Sequence, residues 1–198
     1  AVVEMAAKDL DPGNMQETLG AVLGDDFAAI YLVDGDGIVV ANSVRDASRS
    51  RSRELIGIDL SANKLIRAAR ESETPLWSDK FLSVVTGKVG IAVAMKIDRF
   101  NGVVVAELPL DRLLAISSQV HAEEDLAFWI IDGRGEVVAD TGQENAAGLN
   151  LSHLPVVTEG LTGNRVIEKL DFDNREYLVA TAYSELLGWL FVSRAPYG

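Results

Sequence analysis

Branched apolar residues come in short runs along this chain, and Gly and Asp punctuate the runs in the same order twice. The stretch IYLVDGDGIVVANS, from Ile30 to Ser43, sets two Asp-Gly pairs between two such runs. FWIIDGRGEVVADT, from Phe128 to Thr141, repeats the grammar 98 residues on, with Asp132 and Gly135 in place of Asp34 and Gly37. β-Formers on both sides of a short Asp/Gly connection predict a hairpin, because the turn requires positive φ angles that Gly and Asp tolerate. A calcium loop would need several further oxygen ligands and a closing bidentate Glu. The second copy also replaces the middle acid with Arg134. A phosphate cradle would need GxGxxG or GxxxxGK(S/T) running into a helix, and neither copy completes one.

The pattern around each hairpin repeats as well. Ahead of the first, apolar residues at Val3, Ala6, Ala7 and Leu10, then Met15, Leu19, Val22 and Leu23, predict an amphipathic helix interrupted at Asp11-Pro12-Gly13. Its apolar stripe has three possible targets: the first sheet, the same helix of a second copy, or both. After the hairpin, a Ser/Arg-rich stretch holding Arg45, Arg49, Arg51 and Arg53 reads as a solvated loop, followed by a helix capped by Ser61. Strands are expected in LWSDKFLSVVTG, VGIAVAMKID and GVVVAELPL, with turns at Thr86-Gly87 and RFNG, and then a helix from Asp111 to about Glu124. The second half runs in the same order: hairpin, a loop and helix in GLNLSHLPVVTEGLTG, and strands in NRVIEKLDF, REYLVATAY and GWLFVSRAP. Even GIDLS, ending at Ser61, recurs as GLNLS, ending at Ser152. Two tandem units of one fold are expected.

Composition narrows the function classes. With 48% hydrophobic residues and a net charge of −12, the 198-residue chain is globular rather than disordered, and its acidity disfavours nucleic acid as a partner. It has no cysteine, which removes disulfides, thiolate catalysis and cysteine-held metals. No run is long enough to span a bilayer and no cleavable signal is present, so an exported protein would carry its targeting segment outside this chain. His121 and His153, the only histidines, lack a GxSxG elbow or an HExxH motif and read as surface or capping residues, so neither a catalytic residue nor a metal ligand is expected. The carboxylates of AEED read as a helix end or linker. In LWSDKFLS, period-two alternation sets Trp77, Asp79, Phe81 and Ser83 on one face, a pattern that suits a pocket wall and a core face equally.

Taken in order and spacing, IYLVDGDGIVVANS, IGIDLS, LWSDKFLSVVTG with IAVAMKI, GVVVAELPLDRL, LAFWIIDGRGEVVAD, LNLSHLPVV and GWLFVSRAP resemble the double-Cache sensor domain. That is a pair of PAS-like modules found outside the membrane in bacterial chemoreceptors, histidine kinases and diguanylate cyclases. The resemblance implies an α+β fold, with a long N-terminal helix and two tandem PAS-like modules, each a central antiparallel sheet flanked by helices. It places an N-terminal helical stalk at 1–24, a membrane-distal, ligand-holding module with its connecting helix at 25–124, and a membrane-proximal module at 125–198. It also implies a non-enzymatic, extracytoplasmic (periplasmic) portion of an inner-membrane signalling protein, flanked by transmembrane helices and with no cofactor, while the apolar stripe suits a homodimer through the N-terminal helix.

In the amino-acid-binding branch of that family the pocket carries Tyr, Arg and Trp-Tyr, then Tyr-x-Asp before Thr-Gly. Those positions align with Ser61, Asn63, Leu65 and Ile66, then Phe81 and Ser83, and none of the family's residues is retained. The carboxylate-forking Arg and the ammonium-holding Asp are therefore both missing. The expected contacts for a carboxylate- or amine-bearing metabolite are Asn63, Arg67, Trp77, Asp79, Phe81 and Ser83. The alternatives are a periplasmic module that binds a protein partner and, ranked below it, a hydrolase.

Overall fold

Both Asp-Gly stretches are hairpin turns in the computed structural model, which describes residues 2–9, 13–45, 49–112, 126–142 and 146–197. The first joins β1 (Ala29–Val33) to β2 (Val39–Val44), and the second joins β7 (Ala127–Ile131) to β8 (Val137–Asp140). Asp34 Oδ1 accepts from the backbone N–H groups of Asp36 and Ile38 at 2.9 Å each, and Asp132 Oδ1 accepts from those of Arg134 and Glu136 at 2.9 and 3.0 Å. Each carboxylate is thus consumed within its own turn. Among the described residues no group of three or more His, Cys, Asp or Glu side chains is placed to hold a metal.

The same turns explain why GIDLS and GLNLS recur. Gly37 and Gly135 have φ of +94° and +84°, and a Cβ on them would lie 2.6 Å from Ser61 and 2.7 Å from Ser152. The backbone of each LS pair docks there, with Leu60 N–H bonded to Gly37 O at 2.7 Å and Leu151 N–H to Gly135 O at 2.8 Å. Gly37→Ala is therefore expected to lose about 2–4 kcal/mol in urea unfolding, from backbone strain plus the clash. Gly57→Ala, also at positive φ but with nothing within 4 Å of its Cβ, is expected to lose about 1 kcal/mol. Equal losses would mean that the docking contact is unimportant.

The chain divides into two units, Ala1–Arg112 and Leu113–Gly198. In the first, β3 (Leu76–Trp77), β4 (Phe81–Leu82), β5 (Val89–Ile97) and β6 (Gly102–Pro109) complete an antiparallel sheet of order β2-β1-β6-β5-β3, with β4 also paired to β5. The long N-terminal helix implied by the resemblance is not what these residues form. Two eight-residue helices, α1 (Val2–Asp9) and α2 (Met15–Val22), stand on either side of Pro12, which lacks an N–H and breaks helices. Val3, Ala6, Leu19 and Leu23 are buried with Ile30, Leu32, Val93 and Val104, so the apolar stripe goes to the first sheet. The opposite face is covered by α3 (Arg49–Leu55) and α4 (Lys64–Glu71), whose Leu55, Ile66 and Ala69 pack with Tyr31, Val33, Ala92 and Val105.

Two local expectations shift. The Ser/Arg stretch is helical from Arg49, because Arg is a good helix former and Leu55 anchors the turn in the core. The cap of α4 is Asn63, whose Oδ1 accepts from Leu65 N–H at 2.9 Å and Ile66 N–H at 3.3 Å, since Ser61 is engaged at the first hairpin. The strand expected in LWSDKFLS is also broken. Trp77 pairs with Val93 but Phe81 with Gly90, so one extra residue lies between β3 and β4, and Trp77 and Phe81 pack against opposite faces of the sheet.

The second unit has the same topology, with β9 (Ile167–Phe172), β10 (Arg175–Ser184) and β11 (Trp189–Pro196) giving the order β8-β7-β11-β10-β9, and α5 (Pro155–Leu161) on one face. Residues 110–112 are helical, while the rest of the helix expected to Glu124, with His121, lies outside the described residues. His153 is exposed. No helix among the described residues is long and apolar enough to cross a membrane.

Candidate functional site

β6 reads Gly-Val-Val-Val-Ala-Glu-Leu-Pro, is buried along its whole length, and contains one acid. Alternation places Glu107 with Val103 and Val105 on the face beneath α4. Tyr31 Oη donates to Glu107 Oε1 at 3.1 Å, and Ser83 Oγ donates to Oε2. No described Lys, Arg or His pairs with it. Burial pushes the Glu107 carboxyl above its ordinary value, against the two hydrogen bonds, which pull it down. Burial, and then the charge of Glu107, raise the Tyr31 phenol well above its usual range and keep it a donor.

That shift carries a sign for stability. The folded state holds the Glu107 proton at pH values where the unfolded chain has lost it, so this residue's contribution falls as pH rises from the ordinary 4.5 to the raised folded value and is level above it. Urea unfolding of wild type minus that of Glu107→Gln, measured from about pH 4 to 8, is expected to show the decline. A difference independent of pH would contradict the raised value.

Two cavities meet at this cluster. The outer one, about 450 Å³, runs along the edge strand from Leu76 to Phe81 and under α4, with Tyr31, Ile66, Ala92 and Val105 as its floor. The inner chamber, about 180 Å³, is lined by Val39, Leu55, Ile58 and Leu60 on one side and by Leu82, Val84 and Val85 on another, with Glu107 as the one carboxylate among its described wall residues. Tyr31, Asn63 and Phe81 border both.

Of the residues singled out in the sequence, Asn63, Trp77, Asp79 and Phe81 line the outer cavity, Asp79 on its exposed side. The Asn63 oxygen is already occupied as the cap of α4. Arg67 lies on the exposed side of α4 and is not among the lining residues. Ser83 is buried and reaches the site through Glu107. Tyr31, Glu107, Lys64 and Lys80 border these cavities and were not anticipated. For Glu107 the signal was present: a single acid inside an otherwise apolar strand.

The second unit answers the same position differently. Arg194 stands two residues before the proline that ends β11, as Glu107 stands two before the proline that ends β6. Trp129 and Asp140 recur at the repeat spacing from Tyr31 and Asn42. Tyr177, paired with Pro196, takes the place of Gly90, paired with Pro109. The Arg194 guanidinium lies 4.7 Å from the Trp129 ring centroid and 5.3 Å from that of Tyr177, and donates to Asp140 Oδ1 at 2.7 Å. Here the protein supplies a cation, an anion and two aromatic rings of its own; in the first unit the places of Arg194 and Tyr177 are taken by Glu107 and Gly90.

A family model described as Cache domain (dCache_1) matches residues 3–198. The chain belongs to the double-Cache family. Solved structures agree in fold. The ligand-binding domain of the Campylobacter jejuni chemoreceptor Tlp3, in complex with 4-methylisoleucine, is 14% identical at TM-score 0.73, over 98% of this chain and 81% of that one. That of the Pseudomonas fluorescens chemoreceptor CtaA, in complex with L-alanine, is 18% identical at TM-score 0.68, over 98% and 86%. An extracellular ligand-binding receptor from Desulfohalobium retbaense is 18% identical at TM-score 0.71, and this chain spans 36% of its length. None of the curated proteins compared matches. Within this double-Cache chain, four of the positions aligned with the amino-acid motif, Asn63, Leu65, Ile66 and Phe81, do line the outer cavity, with altered chemistry.

Proposed function

We propose that this double-Cache chain is the extracytoplasmic sensing portion of a bacterial transmembrane receptor and binds a small molecule in the cavities of its first unit. The observation that carries the reading is Glu107, a buried carboxylate on the wall of a mostly apolar chamber that adjoins a larger cavity. Such a group favours a ligand with a hydrogen-bond donor at its inner end, foremost a protonated amine. The solved relatives in complex with amino acids support a ligand of that size. With Arg67 turned to solvent, a ligand carboxylate would be met by Lys64 or Lys80 instead.

The first unit is the membrane-distal module in this reading and the second passes the change onward, with transmembrane helices and a kinase, cyclase or chemoreceptor output beyond the chain. A homodimer through the N-terminal helices would use their outward side, including Met5, since the apolar stripe is buried. A thermal-shift screen against amines, amino acids, organic acids, sugars, nucleobases and divalent cations tests the reading. A ligand at one hundred times its dissociation constant stabilises by about 2.7 kcal/mol. A dose-dependent rise that is lost in Ala92→Phe, which fills the cavity floor, is the expected result. No rise from folded protein across the panel would shift the reading to a protein partner, for which exposed Leu82 and Val84 would be the first candidates.

A further inference from the structure

We infer that residues 83–88 form a strap that couples the inner chamber to the base of the first unit, with the Ser83–Glu107 hydrogen bond as its latch. The inference rests on the sensing reading for its purpose, not for its test. The strap stands between two cavities. Val85 lines the inner chamber and also a basal cleft of about 430 Å³ that is bordered by Asp25, Arg45, Thr86, Lys88 and Arg112.

One hydroxyl organises the strap. Ser83 Oγ gives its proton to Glu107 and accepts from Val85 N–H and Thr86 N–H at 3.0 Å each. Gly87 N–H bonds to Ser83 O, and Ser83 N–H to Lys88 O, both at 2.9 Å. At the far end Lys88 Nζ meets Asp111 Oδ2 at 2.9 Å. Beside it Arg112 donates to Asp25 O at 2.7 Å, and Arg45 donates to Gly24 O and to the Asp25 carboxylate. The cleft therefore gathers the segment that leads into β1 and the ends of β2 and β6. Leu82 and Val84 are 67% and 73% exposed, so little packing resists a shift of the strap on that side. A cation or donor that takes the Glu107 charge weakens the acceptor that holds Ser83, and the change reaches Lys88 along the strap.

The test needs no ligand. In Glu107→Gln the neutral amide stands in for a carboxylate whose charge a bound cation has taken up. Two readouts are followed by NMR on the full chain: amide exchange at Val85 and Thr86, and titration of the Asp111 carboxyl, which the Lys88 hydrogen bond holds below its ordinary value. Exchange is expected to quicken about two- to tenfold, the worth of one net hydrogen bond. The Asp111 titration is expected to move up toward the value found in Lys88→Met, with exchange in β1 unchanged. Unchanged exchange in Glu107→Gln would show that Ser83 orders the strap unaided, and an unmoved Asp111 would show that the strap stops short of the base; either result overturns the inference. If Glu107→Gln does not fold, Ser83→Ala gives the Asp111 readout from the other side of the latch, and an unmoved Asp111 there has the same force. An empty ligand screen would count against the sensing reading and leave this result standing.

Discussion

Asp140→Ala is expected to cost the second unit about 3–5 kcal/mol of stability, the loss typical of stripping one partner from a buried ion pair. The Asp140 and Arg194 side chains are both fully buried. Without the carboxylate the guanidinium loses its charge partner, and the faces of Trp129 and Tyr177 are worth far less than one. Asp140 also accepts from Gly142 N–H and Ala146 N–H at 2.8 Å each, so the substitution leaves those two donors without this acceptor as well. Arg194→Met is expected to be milder, because the carboxylate left behind retains those two backbone donors and the methionine refills the aromatic slot. Equilibrium urea unfolding of the two variants gives the order directly. A loss below about 1 kcal/mol for Asp140→Ala, or a larger loss for Arg194→Met, would contradict the account.

The second large effect is on binding. For an amine-bearing ligand, Glu107→Gln is expected to weaken affinity by about 1.5–3 kcal/mol, roughly 10- to 150-fold, because a charge-assisted hydrogen bond becomes a neutral one. The pH dependence fixes the chemistry. Affinity for a cation rises with pH as Glu107 ionises, through its raised value, and then levels; affinity for a ligand that presents an acceptor falls over the same range, because only the protonated carboxyl can donate to it. Calorimetric titration of wild type and Glu107→Gln at several pH values separates the two. A wild-type affinity that Glu107→Gln leaves intact would remove Glu107 from the ligand contacts.

Much of this molecule was legible because its information is local. The hairpins follow from Asp34, Gly37, Asp132 and Gly135, whose turn geometry depends on a few adjacent residues, and the repeat of GIDLS as GLNLS marks the docking of Ser61 and Ser152 on those turns. Three things were hidden. The extra residue at Ser78–Lys80 moves Phe81 to the face opposite Trp77, and no propensity announces a bulge in a polar strand. Arg67 and Asn63 lie on one helix, but which side of α4 faces the sheet depends on Ile66 and Ala69 finding partners distant in sequence. The third is the pairing of Tyr31, Ser83 and Glu107, which come from three separate stretches and meet only once β1, β5 and β6 are in register. The same register sets Gly90 and Tyr177 at matching places in the two units, a correspondence that only the fold aligns.

The most direct test of a ligand site in the first unit is an amide chemical-shift titration with a compound that stabilises the protein. The account predicts perturbations concentrated at Tyr31, Ile66, Phe81, Ala92, Val105 and Glu107, around the two cavities. Perturbations centred instead on Trp129, Tyr177 and Arg194, or on the face beneath α1 and α2, would contradict it.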